Sequence, residues 1–302
     1  MLAAVPRPKS TPTAFERRQG FEALLALGAA PVPIESSTDL SADGPGGPIP
    51  LRLYRPAHLA DGPSAALIFF HGGGFVTGSL RSHDALCRTL ANAIRCMVIA
   101  VDYRLAPEHV FPAAFEDCIA AVRWVLTHAS RLQIDPLRLG LAGDSAGGAL
   151  AAAAAHALPL ALGFHPRLQL LLCPILDCCH ESESRQRFDT GYLIEIDALR
   201  DEFAQYLAEC DRRDERVSPL LAPDLKEEPM TFIHTAEFDP MRDEGLAYSR
   251  RLAEAEVRVH YTCHPGMIHL FYALPRLIPY TGQAMAALAA ELAPALQAQA
   301  GP

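Results

Sequence analysis

Arg138-Leu139-Gly140-Leu141-Ala142-Gly143-Asp144-Ser145-Ala146-Gly147-Gly148, followed by an alanine-rich segment over 149–157, is the stretch on which the reading of this chain turns. Its first half is a short apolar run with the character of a buried strand, and its second half is dense in good helix formers. The Gly-x-Ser-x-Gly core therefore falls on a strand-to-helix turn, the setting of a nucleophilic serine. Gly143 and Gly147 leave space where side chains would collide, which pushes the Ser145 hydroxyl outward and puts the Ala146 N–H at a helix start. Unpaired N–H groups there favour negative charge. A plain glycine-rich turn between a strand and a helix would carry the same five residues, so the rest of the chain has to decide.

The chain has 302 residues, half of them hydrophobic, enough for one large domain or a domain with an appended lid. A net charge of −9, with a pI near 5.7 and no long basic block, argues against a nucleic-acid or anionic-membrane surface. Residues 1–12 have no apolar core of a signal sequence, and no apolar run reaches membrane-spanning length, so a cytoplasmic protein without a membrane span is expected. The eight cysteines form no C-x-x-C pair, and several lie in apolar segments where a free thiol packs as a small hydrophobe. Cys178-Cys179-His180 invites a metal reading, but adjacent side chains diverge and no second ligand pair follows; no metal site is expected.

Working outward, residues 13–30 place Phe15, Phe21, Leu24, Leu25 and Leu27 on one helical face, ended by Gly28 and Pro31. Residues 34–40 and 49–54 read as an antiparallel strand pair joined by the turn-rich 43–48. After Pro63 the runs 67–70, 97–101, 139–142, 168–172, 230–235 and 257–262 are short apolar or alternating strands, most of them separated by helical stretches. This is the pattern of an α/β fold with a mostly parallel sheet covered by helices on both faces. Between Asp177 and Pro219 the sequence turns highly charged, yet Leu193, Ile196, Leu199, Phe203 and Leu207 keep a helical apolar face. That predicts a folded insertion and suits a lid.

Directly after the strand at 67–70 comes His71-Gly72-Gly73-Gly74-Phe75, whose glycines expose backbone N–H groups as an oxyanion requires; alone it could equally be a flexible turn. A serine nucleophile needs a base and an orienting acid, which in this architecture follow in the order Ser, Asp or Glu, His. Asp239-Pro240 stands where the chain leaves the strand at 230–235 and begins a helix, so Asp239 is the favoured acid; Glu237 could serve instead, and Asp239 could merely cap the helix. Among the later histidines, His260 lies in the last strand and His264 precedes Pro265 at its end, whereas His269 falls in a loop after Gly266 and is the favoured base.

His71-Gly72-Gly73-Gly74, Asp102-Tyr103-Arg104-Leu105-Ala106-Pro107-Glu108, Gly143-Asp144-Ser145-Ala146-Gly147-Gly148, Ser218-Pro219-Leu220-Leu221-Ala222-Pro223, Asp239-Pro240-Met241-Arg242-Asp243-Glu244-Gly245 and Gly266-Met267-Ile268-His269 resemble, in collinear order over about 40–295, the motifs of the hormone-sensitive-lipase-like bacterial carboxylesterases. The resemblance implies an α/β-hydrolase fold and a serine carboxylesterase acting on short- to medium-chain esters through an acyl-enzyme, without a cofactor. It implies Ser145, Asp239 and His269 as the triad and Gly73, Gly74 and Ala146 as oxyanion donors, with His71 and Glu108 supporting the loops. The expected organisation is an N-terminal cap segment over 1–40, a catalytic domain over 41–176 and 218–302, and a cap insertion over 177–217. Leu193, Phe203, Tyr206 and Leu270 are the expected pocket residues. Leu270 departs from the family, which carries a small residue, usually Gly, after the histidine. The partner expected is a small-molecule ester, and a homodimer is compatible with the reading. The competing readings on the same fold are a ligand-binding receptor, like the plant gibberellin receptors that resemble this family but lack the triad histidine, and an amidase or lyase.

Overall fold

The computed structural model describes residues 12–297. In chain order the elements are α1 (Ala14–Gly28), β1 (Ser36–Gly44), β2 (Gly47–Arg55), β3 (Ser64–Phe70), α2 (Asp84–Ile94), β4 (Met97–Val101), α3 (Ala113–Thr127), α4 (Ala129–Leu132), β5 (Ile134–Asp144) and α5 (Ala146–Leu162). They continue with β6 (Leu168–Leu172), α6 (Glu183–Arg187), α7 (Ile196–Leu207), β7 (Met230–Phe238), α8 (Arg242–Glu254), β8 (Val259–Ile268) and α9 (Tyr280–Gln297). Every residue of β3, β4 and β6 is buried, as near-continuous aliphatic runs demand. Along β3 the side chains alternate: Ala66, Ile68 and Phe70 enter one core with α3 and α5, whereas Ala65, Leu67 and Phe69 enter the other with α2 and α9. Helices therefore cover both faces, and the alanines of α5, buried from Ala149 to Ala155, let that helix lie close to the sheet.

The eight strands are ordered β1-β2-β4-β3-β5-β6-β7-β8. β1 and β2 form the expected antiparallel hairpin, its ladder running to Gly44 opposite Gly47, so the turn is shorter than the 43–48 read from composition. β2 pairs antiparallel to β4, and the rest of the sheet is parallel. The chain steps from β3 out to β4 and returns across β3 to β5, so strand order reverses there. Such a switch point leaves a crevice at the carboxyl ends of the strands, where ligands bind in open α/β sheets. Phe70 pairs with Gly143, which sets the glycine loop after β3 beside the serine turn after β5.

Two segments lie outside this alternation. α1 is started by a capping box between Thr13 and Glu16. Its apolar face is narrower than the spacing suggested: Leu25 is buried, Phe21 and Leu24 are half-buried, but Phe15 and Leu27 are 66% and 61% exposed. Arginine contacts replace part of that stripe, since Arg18 donates to the Val76 and Ala106 carbonyls (2.8 and 2.9 Å) and to both Glu108 oxygens. Residues 36–40, counted with the N-terminal segment in the sequence reading, belong to β1. The charged segment after Asp177 carries α6 and α7. Ile196, Leu199, Phe203, Tyr206 and Leu207 of α7 are buried, while Leu193 precedes that helix. Among the described residues no helix is long and apolar enough to cross a membrane.

The insertion is fastened by Arg185, which is 3% exposed and paired with Glu244 of α8 at 2.6 Å. The other Glu244 oxygen accepts the Leu176 and Asp177 N–H groups at 2.7 and 2.8 Å. Breaking a buried pair strands one charge, so Arg185→Met is expected to lower unfolding free energy by about 3–5 kcal/mol, and adding Glu244→Gln should recover part of that loss. Urea titrations of both variants measure it; a loss under about 1 kcal/mol in the single variant would show that the pair does not hold the insertion.

Candidate active site

Ser145 sits between β5 and α5 with φ 54° and ψ −119°, a backbone conformation that costs a non-glycine residue energy and persists only when its surroundings enforce it. The enforcement is visible: the Ser145 N–H donates to the Leu172 carbonyl at 2.8 Å, and its own carbonyl accepts from Ala149 and Ile175. A Cβ on Gly143 would lie 2.1 Å from the Gly147 oxygen, and one on Gly147 would lie 1.9 Å from the Phe70 oxygen. Both contacts are to backbone, so only glycine fits. Ser145 is 6% exposed and Ala146 is fully buried.

The glycine loop is held against this turn by Asp144, the residue before the serine. Asp144 is buried; one carboxylate oxygen accepts the Gly72 N–H at 2.9 Å and the other faces His83 Nε2 at 3.2 Å. Burial works to raise its pKa, but His83, His71 and the Gly72 N–H outweigh that and hold it below the ordinary value. His71 stacks on Tyr103 at 4.3 Å, and the Tyr103 hydroxyl donates to the His71 carbonyl at 2.6 Å. Burial first, and then neighbouring His83, push the His71 pKa down to about 3, so the ring is neutral and Nδ1–H donates to the Gly72 carbonyl. Gly73 and Gly74 have φ of 120° and 61°, and their N–H groups donate to no described residue. The Gly73 carbonyl is engaged by Val76, Thr77 and the Thr77 hydroxyl.

Asp239 directly follows β7, and His269 directly follows β8. His269 therefore stands in the turn that ends β8, and that turn begins later than Gly266 suggested, because the β8 ladder continues past that glycine with an irregularity and pairs Ile268 with Phe238. His269 Nδ1–H donates to Asp239 Oδ2 at 2.8 Å, with the residues 1% and 0% exposed. Asp239 Oδ1 also accepts the Met241 N–H at 2.8 Å, so it serves the turn into α8 as well as the histidine. Glu237 instead accepts the Gly266 N–H at 2.7 Å. His260 stacks on Phe232, and His264 bonds with His234, Tyr272 and Tyr280; burial lowers its pKa to about 4. Among the described residues, His269 is the one of these three histidines that meets a carboxylate. Burial would lower the His269 pKa, but Asp239 more than compensates, and the net shift is upward.

Among the described residues, two groups of three His, Cys or Asp side chains bring possible metal-ligand atoms within 4.8 Å of one another: Cys173, Asp239 and His269, and Asp177, Cys179 and His180. The second differs from the cysteine pair weighed in the sequence, because Asp177 folds back to meet His180 at 2.8 Å. Its other oxygen accepts the Cys179 and His180 N–H groups, the pattern of a local turn.

The four expected pocket residues do not share one wall. Tyr206 is 1% exposed and stacks on Phe75 at 4.0 Å, and Phe203 lies beneath the Arg185 guanidinium, so both are packed into a core. Leu193 is half-buried with φ 80°. Leu270 borders a cavity of about 10 Å³ with Asp144, Leu172 and Cys173 that none of the other three touches. Leu270 has φ 61°, which explains why a glycine suits this position.

A family model described as alpha/beta hydrolase fold matches residues 67–273. An ethyl acetate hydrolase of Pseudomonas putida is 41% identical over 273 residues, covering 88% of this chain and 85% of that protein. The carboxylic ester hydrolase LipN of Mycobacterium tuberculosis is 40% identical over 268 residues, 86% and 70% of the two chains. The crystal structure of EstE1, a thermostable carboxylesterase cloned from a metagenomic library, superposes with a TM-score of 0.90 at 34% identity, covering 95% of this chain and 99% of that one.

The glycine contacts are directly testable. Gly147→Ala should cost more than about 3 kcal/mol or prevent folding, because its methyl meets backbone that cannot yield. Leu270→Gly should cost less than the roughly 2.7–5 kcal/mol typical of truncating a buried leucine, since relief at φ 61° offsets lost packing. Thermal and urea unfolding of the two variants provides the comparison; a Gly147→Ala protein as stable as the parent would refute the steric account.

Proposed function

The chain belongs to the alpha/beta hydrolase family and is a carboxylic ester hydrolase, and from that premise we propose that it cleaves short- to medium-chain esters by acyl transfer to Ser145, with His269 as base and Asp239 as its orienting acid. The observation that carries the residue assignment is the 2.8 Å bond from His269 Nδ1–H to a fully buried Asp239, which leaves Nε2 as the acceptor nitrogen. In the proposed reaction Nε2 takes the Ser145 proton as its oxygen attacks the ester carbonyl. The N–H groups of Gly73, Gly74 and Ala146 stabilise the oxyanion, and His269 then returns the proton to the departing alcohol. Water repeats the sequence on the acyl-enzyme. Asp239 stabilises the imidazolium formed in each half, consistent with the upward shift of the His269 pKa.

The same reading takes α1 and the insertion carrying α6 and α7 as the cap. Supporting it, Arg17 of α1 pairs with Asp201 of α7 at 3.1 Å, and Tyr206 of α7 stacks on Phe75 at the end of the glycine loop. The name of the Pseudomonas putida relative, an ethyl acetate hydrolase, supports small esters as substrates.

Ser145→Ala should retain the fold and lose about 10⁴- to 10⁶-fold in kcat for p-nitrophenyl butyrate, whereas a folded variant that still hydrolyses it would sink the mechanism. The pH dependence should fall on the acid side, because only neutral His269 accepts a proton. With its pKa raised above 6.5, the acid limb of kcat/KM should lie above that value. Asp239→Asn should cost far more activity than Glu237→Gln; the reverse ranking reassigns the acid.

A further inference from the structure

Beside the glycine loop lies a polar pair that the proposed mechanism does not use. Glu202 of α7 reaches inward until a Cβ placed on Gly74 would lie 1.8 Å from its Oε2, so the carboxylate rests against the backbone proposed to hold the oxyanion. Its side chain is 18% exposed, and among the described residues it accepts no hydrogen bond. Its nearest cation is Arg17 of α1, whose Nη1 lies 3.8 Å from Glu202 and 3.1 Å from Asp201. Among the described residues, the Nε and Nη2 of Arg17 are buried without a hydrogen-bond partner. Burial raises the Glu202 pKa to about 7 against the opposing pull of Arg17, and its charge also acts on His269, which places it within electrostatic reach of the proposed base.

Buried polar groups are nearly always hydrogen-bonded, and the exceptions call for an explanation at the place where they occur. Here, among the described residues, a partly exposed carboxylate without hydrogen-bond donors lies against Gly74, and the Arg17 side chain whose Nη1 stands 3.8 Å from it has two buried nitrogens without acceptors. A substrate carboxylate would meet Glu202, and a substrate ammonium would meet Arg17. A neutral group that both donates and accepts satisfies the two at once. We propose that Arg17 and Glu202 form a specificity subsite for esters bearing a hydroxyl close to the carbonyl, the hydroxyl donating to Glu202 and accepting from Arg17. This rests on the serine-esterase reading above. The hydroxyl can sit on the acyl or the alcohol portion, since both radiate from the carbonyl carbon beside Gly74.

The test compares kcat/KM within matched pairs, ethyl 3-hydroxybutyrate against ethyl butyrate and 2-hydroxyethyl butyrate against propyl butyrate, with p-nitrophenyl butyrate as a plain ester. The unmodified enzyme should prefer the hydroxylated member of at least one pair by about tenfold or more, as a site built around a hydroxyl penalises analogues lacking it. Which pair responds identifies the side of the ester that is read. Glu202→Ala and Arg17→Met should each bring that ratio close to one. Glu202→Gln, nearly isosteric and still able to accept, should retain part of the preference and guards against misfolding of the alanine variant, with thermal melts recorded for all. Ratios at or below one in both pairs, or a preference unchanged in Glu202→Ala, overturn the subsite while hydrolysis of the plain esters leaves the esterase reading intact. Failure of the unmodified enzyme on every ester overturns that reading and the subsite with it.

Discussion

The site depends first on how closely two stretches of backbone approach each other. Gly147, in the first turn of α5, lies against the carbonyl of Phe70 at the end of β3, and Gly143 lies against the carbonyl of Gly147. No side chain can enter either contact. Because these contacts bring the turn after β5 against the end of β3, the turn and the glycine loop form one object. Asp144 completes the junction by accepting the Gly72 N–H from inside the turn. The positive φ of Ser145 is a consequence: the chain must reverse within one residue between a strand packed on one side and a helix packed on the other.

Burial then sorts the histidines. His71, His234 and His264 are pushed down to about 3, 3 and 4, chiefly by desolvation, and are neutral structural groups within hydrogen-bond networks. His269 experiences the same desolvation, yet its pKa rises because it faces the Asp239 carboxylate. The difference between a histidine that packs and one that can take up a proton is thus neighbouring negative charge strong enough to outweigh burial, which for His269 comes chiefly from the directly bonded Asp239, with Asp144 and Glu202 adding to it.

Arginine holds together the parts that apolar packing leaves loose. Arg18 ties α1 to the loops after β3 and β4, Arg185 ties the insertion to α8, and Arg17 joins α1 to α7. A guanidinium offers several donors in a fixed fork, so one side chain can satisfy carbonyls and a carboxylate from different segments. This explains how α1 can leave Phe15 in solvent and still be fastened at its N-terminal half.

The sequence by itself determined the alternation of strands and helices, the antiparallel hairpin that precedes it, and the places of Ser145, Asp239 and His269 each just after a strand, because these features are local: each is written in hydrophobic period, glycine spacing and position after a strand. It also singled out the residues after β3 and β5. It could not determine which carboxylate the histidine meets, since Glu237 and Asp239 are two residues apart and only strand register shows Glu237 turned to Gly266 and Asp239 to His269. Nor could it place Asp144, Arg17 or Glu202, whose partners lie far along the chain. Phe203 and Tyr206 read from spacing as pocket residues, whereas their neighbours Arg185 and Phe75 make them part of a core. Spacing along a helix defines a face, but what that face meets is decided by elements that arrive from elsewhere in the chain, and only the tertiary structure brings them together.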